Sequence, residues 1–248
     1  MQFFKKYAYV YLLVLILVWA CSSLVSESVT VVSTAFETPT VPPITVVVDP
    51  GHGGEDGGAV SCSGVTESGL NLQIGTRLKD LLLFLGIQTR MTRETDISLH
   101  SPGAETISEK KVSDLKNRVQ LVQNTEHAIL VSIHQNYFTE EKYSGAQVFY
   151  APTPGSTALA RTVQDTLRSS LDPLNHREAK ESLTVYLMKK ITCPGILVEC
   201  GFLSNVREEQ NLRSSAYQKQ LACAIAGGMQ AYLTQTSDPD PHEREVYE

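Results

Sequence analysis

Short β-branched runs alternate along this chain with longer stretches of helical period, and that alternation limits the possible folds more than any other feature. Ile44–Val48, Ile87–Met91, Ala128–Ile133, Gln147–Tyr150, Thr184–Met188 and Ile196–Glu199 read as strands. Between them Leu70, Ile74, Leu78 and Leu82 step by four, behind Thr66-Glu67 and ahead of Gly86, the start and stop signals of an amphipathic helix. The spacing recurs at Val112, Leu115, Val119 and Val122, at Leu159, Val163, Leu167 and Leu171, and at Leu221, Ile225 and Met229. The pattern predicts a single α/β domain: a mixed, mostly parallel twisted sheet of about six strands with helices on both faces. One antiparallel pairing is expected, because Gly145–Tyr150 follows its predecessor without room for a crossover helix.

Composition shifts set the boundaries of that domain at 44–234. Lys5 and Lys6 precede fifteen uncharged residues, Tyr7 to Cys21, which is the pattern of an export signal. Residues 1–25 are therefore read as a signal peptide or membrane anchor, with retention at the membrane preferred. Cys21 also offers a weak lipoprotein cleavage box. Residues 26–43, rich in Ser, Thr and Val and closed by Pro42-Pro43, read as an extended linker. Residues 235–248 read as an acidic solvated tail. With Lys+Arg 21 against Asp+Glu 27 the formal charge is −6, so the basic excess a nucleic-acid binder needs is absent.

In sheets of this kind ligands bind beyond the carboxyl ends of the strands. Three polar residues fall there: His52 in Asp49-Pro50-Gly51-His52-Gly53-Gly54, His134 after Val131-Ser132-Ile133, and Glu199 after Ile196-Leu197-Val198. A single strand-end His is more often a surface or hydrogen-bonded residue than a ligand. Three such residues at one edge, one of them in a glycine loop with little to pack against, point instead to something bound close to the backbone. A phosphate cradle fits poorly, because Asp56 stands where the dinucleotide pattern needs Gly, and Glu55-Asp56 would repel an anion. No G-x-x-x-x-G-K-[ST] or G-x-S-x-G occurs, so neither a P-loop nor a nucleophile elbow is present. Metal remains. A catalytic zinc takes three protein ligands and keeps a fourth position for water; His52 and His134 supply two. Glu67 at the start of the first helix is the candidate for the third, although spacing alone leaves it equally readable as an ordinary helix-start acid. Glu199 is then free to act as a base.

These residues resemble the zinc-dependent N-acetylmuramoyl-L-alanine amidases of bacterial cell walls, in the subgroup called amidase type 3. The resemblance is carried by Val47-Val48-Asp49-Pro50-Gly51-His52-Gly53-Gly54 with Asp56 and Gly57, by Glu67, by Ser132-Ile133-His134-Gln135-Asn136, and by Val198-Glu199-Cys200-Gly201-Phe202-Leu203-Ser204-Asn205. It covers nearly all of 44–234, and departs where Ser68-Gly69 replaces the Lys-Asp pair that usually follows the ligand glutamate. It implies one Zn²⁺ held by His52, Glu67 and His134, with Glu199 as the catalytic glutamate. The implied reaction is hydrolysis of the amide between the muramic acid lactyl group and L-alanine. Further likeness at Met91-Thr92-Arg93-Glu94-Thr95-Asp96 and Ser144-Gly145-Ala146-Gln147 points to the sporulation branch, which acts on spore-cortex peptidoglycan. The expected partners are peptidoglycan, the membrane through the N-terminal segment, and an accessory lipoprotein or a second copy. Asp49 is expected to orient His52 and Asn136 to contact substrate; a turn-forming Asp and an Asn satisfying local backbone are the plainer readings.

Two other classes stay open from sequence: a zinc carboxypeptidase, for which Arg93 or Arg118 would hold the terminal carboxylate, and an inactive wall-binding module. The five cysteines form no C-x-x-C pair, so no structural zinc knuckle is indicated and none is expected to be catalytic.

Overall fold

The computed structural model describes residues 14–19 and 43–237. Contacts divide the chain into Met1–Pro43 and Ile44–Glu248. Of the first unit only a helical stretch at 14–19 and Pro43 are described, so the leader and linker otherwise lie outside the described residues. The acidic tail does too from 238 onward. Among the described residues no helix is long and apolar enough to cross a membrane.

The second unit is an α/β sandwich. Its strands are β1 (Thr45–Pro50), β2 (Gln88–Met91), β3 (Ala128–Asn136), β4 (Gln147–Tyr150), β5 (Lys180–Glu181) and β6 (Gly195–Phe202), in spatial order β2-β1-β3-β6-β4-β5. All neighbours are parallel except β4, which runs antiparallel to β6. The helices are α1 (Glu67–Phe84), α2 (Ile107–Gln123), α3 (Ser156–Leu171), α4 (Tyr186–Lys190), α5 (Val206–Arg213) and α6 (Ser215–Ser237).

Strand alternation divides the core into two layers. Val46, Val48, Ile196 and Val198 point into one, with Leu70, Ile74 and Leu78 of α1, Leu159 and Val163 of α3, and Leu221 and Ile225 of α6. Val47, Leu130 and Leu197 point into the other, with Val119 and Val122 of α2 and Leu187 and Met188 of α4. The helical stripes named above are therefore core stripes except in the first half of α2, where Val112 is about half exposed and Leu115 is only partly buried. At α2 the Thr106 hydroxyl accepts the Glu109 N–H while the Glu109 carboxylate accepts the Thr106 N–H, a reciprocal cap that fixes where the helix begins.

Two elements differ from the sequence expectation. Thr184–Met188 is not a strand; α4 begins at Tyr186 and buries Leu187 and Met188. The sixth strand is the two-residue, exposed, charged pair Lys180–Glu181, whose only ladder contact is with β4. An edge of this kind carries no apolar alternation to read.

Candidate active site

The site is built at the carboxyl ends of β1, β3 and β6. Asp49, Ser132, His134 and Glu199 share strand parity with Val47, Leu130 and Leu197, so they emerge on the face covered by α2 and α4. His134 and Glu199 are register partners on adjacent strands, which places them side by side about 4.8 Å apart along the sheet. Cys200, next in sequence, points into the opposite layer and is fully buried.

His52 sits in the turn after β1 with φ 60, a left-handed conformation that costs a non-glycine residue strain. Two buried guanidinium groups hold that turn. Arg118 of α2 donates through Nη2 to the His52 carbonyl at 2.7 Å and through Nη1 to the Pro50 carbonyl at 2.9 Å. Arg93 donates to the carbonyls of Pro50, Gly51 and Ser68 at 2.9–3.0 Å. Arg118 also meets Asp49 at 2.6 Å and Asp114 at 2.7 Å. Asp49 in turn accepts the hydroxyls of Thr92 and Ser132, each at 2.7 Å. Burial opposes ionisation of Asp49, but Arg118 and the two hydroxyls outweigh it and hold its carboxyl below the usual range.

This corrects one expectation: Asp49 does not orient His52. The His52 Nδ1–H donates instead to Asp56 Oδ2 at 3.0 Å, within the same glycine loop. Asn136, partly exposed at the end of β3, accepts the Tyr137 N–H through Oδ1 at 2.9 Å. Nor are Arg93 and Arg118 available to a peptide terminus, both being 2% exposed and spent on backbone carbonyls.

Glu67 opens α1 and is 4% exposed. Its own N–H and that of Ser68 donate to the Ala59 and Gly57 carbonyls, so the loop satisfies the helix start that Thr66 does not cap. The carboxylate accepts N–H groups from Ala59 at 2.9 Å and Gln135 at 3.2 Å. Its Oε2 lies 3.3 Å from His52 Nε2 and its Oε1 2.9 Å from His134 Nδ1. Burial works against its charge, yet the hydrogen bonds and charge of the two imidazoles hold Glu67 far below the ordinary range. Burial likewise pulls His52 down, but Glu67 and Asp56 outweigh it and raise the imidazole to about 9.

The residues fit a cation. One ligand atom from each of His52, Glu67 and His134 lies within 4.8 Å of the others, two neutral-capable nitrogens and a carboxylate oxygen being a zinc-type donor set. The glycines leave that space open: a Cβ on Gly51 would overlap the His134 ring, and one on Gly58 (φ +68) would stand 2.5 Å from Glu67 Oε2. Gly51→Ala is therefore expected to displace His134, costing about 1–3 kcal/mol of stability. Thermal unfolding and metal retention on dialysis measure both effects.

A fourth group is left over. Glu199 Oε2 is buried with no hydrogen-bond partner, and burial pushes the carboxyl up to about 7, with His134 drawing it down and Glu67 adding to the rise. An unpaired carboxyl of this kind is costly unless a ligand or chemistry uses it. Cys62, Cys193, Cys200 and Cys223 are all free thiols.

The sequence assigns no site role to Asn71, none as a partner of His52 to Asp56, and to Arg93 and Arg118 only that of holding a peptide terminus. Asn71, buried beneath the cluster, donates to Gly51 O at 3.2 Å and accepts from Gln135 Nε2 at 3.1 Å. The available signals were the four-residue spacing of His52 and Asp56, and a charged residue, Arg118, inside the apolar stripe of α2, four after Asp114.

The family profile described as N-acetylmuramoyl-L-alanine amidase matches residues 46–231. The germination-specific N-acetylmuramoyl-L-alanine amidase of Bacillus subtilis (strain 168) is 39% identical over 195 residues, covering 78% of this chain and 81% of that protein. Among solved structures, the CwlD amidase from Clostridioides difficile in complex with the GerS lipoprotein superposes with TM-score 0.75 and 38% identity, over 77% of this chain and 98% of that one. The amidase AmiC2 of Nostoc punctiforme superposes with TM-score 0.67 and 31% identity, over 77% and 97%.

Proposed function

The chain belongs to the N-acetylmuramoyl-L-alanine amidases, enzymes that hydrolyse an amide of peptidoglycan, and from that premise we propose that it is a zinc enzyme of the spore cortex. His52, Glu67 and His134 hold one ion, and Glu199 moves the proton. The single observation that carries this reading is the convergence of three donor groups within 4.8 Å beside a buried, unpartnered carboxyl.

Zinc bound there supplies a Lewis acid that lowers the pKa of water to about 7 and polarises the amide carbonyl. Glu199 Oε2 takes the proton of the attacking water and returns it to the departing nitrogen of L-alanine. A carboxyl raised toward neutrality performs both halves of that transfer, since its two protonation states lie close in free energy at the working pH. Asp56 fixes the tautomer of His52 by occupying Nδ1 and leaving Nε2 toward the cation. The two arginines hold the loop carbonyls so that the strained His52 backbone keeps its place.

The N-terminal segment exports the enzyme and retains it at the membrane. An accessory lipoprotein, of the kind found with the CwlD amidase of C. difficile, or a second copy completes the functional unit. Elemental analysis of the purified full chain, combined with mass spectrometry of treated cortex and vegetative peptidoglycan, tests the proposal. One zinc per chain, free lactyl groups and a preference for cortex are expected. Release of terminal amino acids would overturn the amidase chemistry, and another metal would overturn zinc.

A further inference from the structure

The site's face continues across the sheet from His134 to Glu199 to Gln147, which is the antiparallel register partner of Glu199 on β4. Beyond Gln147 lies an open groove of about 560 Å³ lined by Ser144, Gln147, Asn175 and Arg177. Arg177 is half-buried and held in one orientation. Its Nε donates to the Ser144 carbonyl at 2.8 Å, its Nη1 donates to Gln147 Oε1 at 3.2 Å, and its guanidinium lies 4.7 Å over the Phe202 ring.

What sets Arg177 apart is its charge balance. Of the cations around the site, Arg93, Lys110, Lys111 and Arg118 each have a carboxylate at ion-pair distance. Among the described residues Arg177 has none, and nothing there bonds to its Nη2. Glu208, the carboxyl whose field it feels, spends its two oxygens on the Gly145 and Phe202 N–H groups. A guanidinium that is preorganised, partly desolvated and unneutralised is a site for a planar anion.

We infer that Arg177 is a specificity residue of the amidase, binding a carboxylate of the peptide that leaves. This rests on the amidase reading, and two distances support the placement. Gln147 stands two strand spacings from His134, roughly 10 Å, and an extended peptide advances about 3.3–3.6 Å per residue. The carboxylate is therefore one carried by the second or third residue after the scissile amide.

The test uses the zinc-loaded full chain and a muramoyl tripeptide with acidic second and third residues, beside the same compound with those carboxylates capped as carboxamides. The parent enzyme is expected to show a KM about 10- to 100-fold lower for the free acid, with kcat changed less than about threefold. Arg177→Ala removes that discrimination, and Arg177→Lys restores part of it. Calorimetric binding of the released tripeptide, which needs no turnover, should weaken on capping in the parent and be indifferent to it in Arg177→Ala. A parent that treats acid and carboxamide alike, in both KM and product binding, overturns the inference even if Arg177→Ala does not fold. Absence of hydrolysis with intact discrimination in binding would instead count against the amidase reading and leave Arg177 standing.

Discussion

Under the proposed mechanism Glu199→Gln is expected to leave the metal bound and to lower kcat by about 10³-fold, inside the range that a positioned proton-transfer group supplies. The substitution is close to isosteric and keeps the three donor groups untouched, so metal content separates loss of chemistry from loss of the ion. The residual activity should also lose the acid limb of its pH profile. Burial, partly offset by His134 and reinforced by Glu67, sets Glu199 at about 7, and a cation beside it draws that value lower, so the limb lies at or below pH 7. Activity falls as pH drops through it, because the protonated carboxyl no longer accepts from water. A Glu199→Gln enzyme within tenfold of the parent would remove Glu199 from the mechanism.

Arg118→Met has the largest effect expected on stability. The guanidinium is 2% exposed and meets Asp49, 1% exposed, at 2.6 Å. Removing one partner of a buried pair strands the other and costs about 3–5 kcal/mol, or about 6–20 °C in Tm for a domain of this size. The acid limb of stability should move in a defined direction. In the parent, Asp49 is held below its ordinary value, so its contribution is present above the unfolded carboxyl pKa of about 3.9 and is lost as pH falls through the lower folded value. Without Arg118 burial dominates and raises that carboxyl, so acid unfolding begins at a higher pH. A variant with unchanged Tm and acid midpoint would show that the pair contributes nothing net.

Much of the scaffold was readable because its signals are periodic. The apolar steps of α1, α3 and α6, and the β-branched runs of β1, β3 and β6, reflect burial on one helix face or on both sides of a central strand. Three of the candidate site residues stand at strand ends, where such sheets bind ligands, whereas the helix-start position of Glu67 leaves it an even choice that only the family resemblance decides. The rest depends on contacts that leave no period. Asp56 reaches His52 through a glycine turn, whereas Asp49, the nearer guess, is drawn away by an arginine 69 positions later. The Thr184–Met188 run has strand composition, but Tyr186–Lys190 coils so that Leu187 and Met188 fill the layer beside α2. Tertiary packing decided that segment over β propensity.

Along β6, Glu199 faces the cleft while Cys200 faces the packed interior. A frame shift of a single position there would exchange them, seating a thiol at the reaction centre and an acid in the hydrocarbon layer. The run from Gly195 to Glu199 must therefore keep its length wherever this arrangement of side chains is retained.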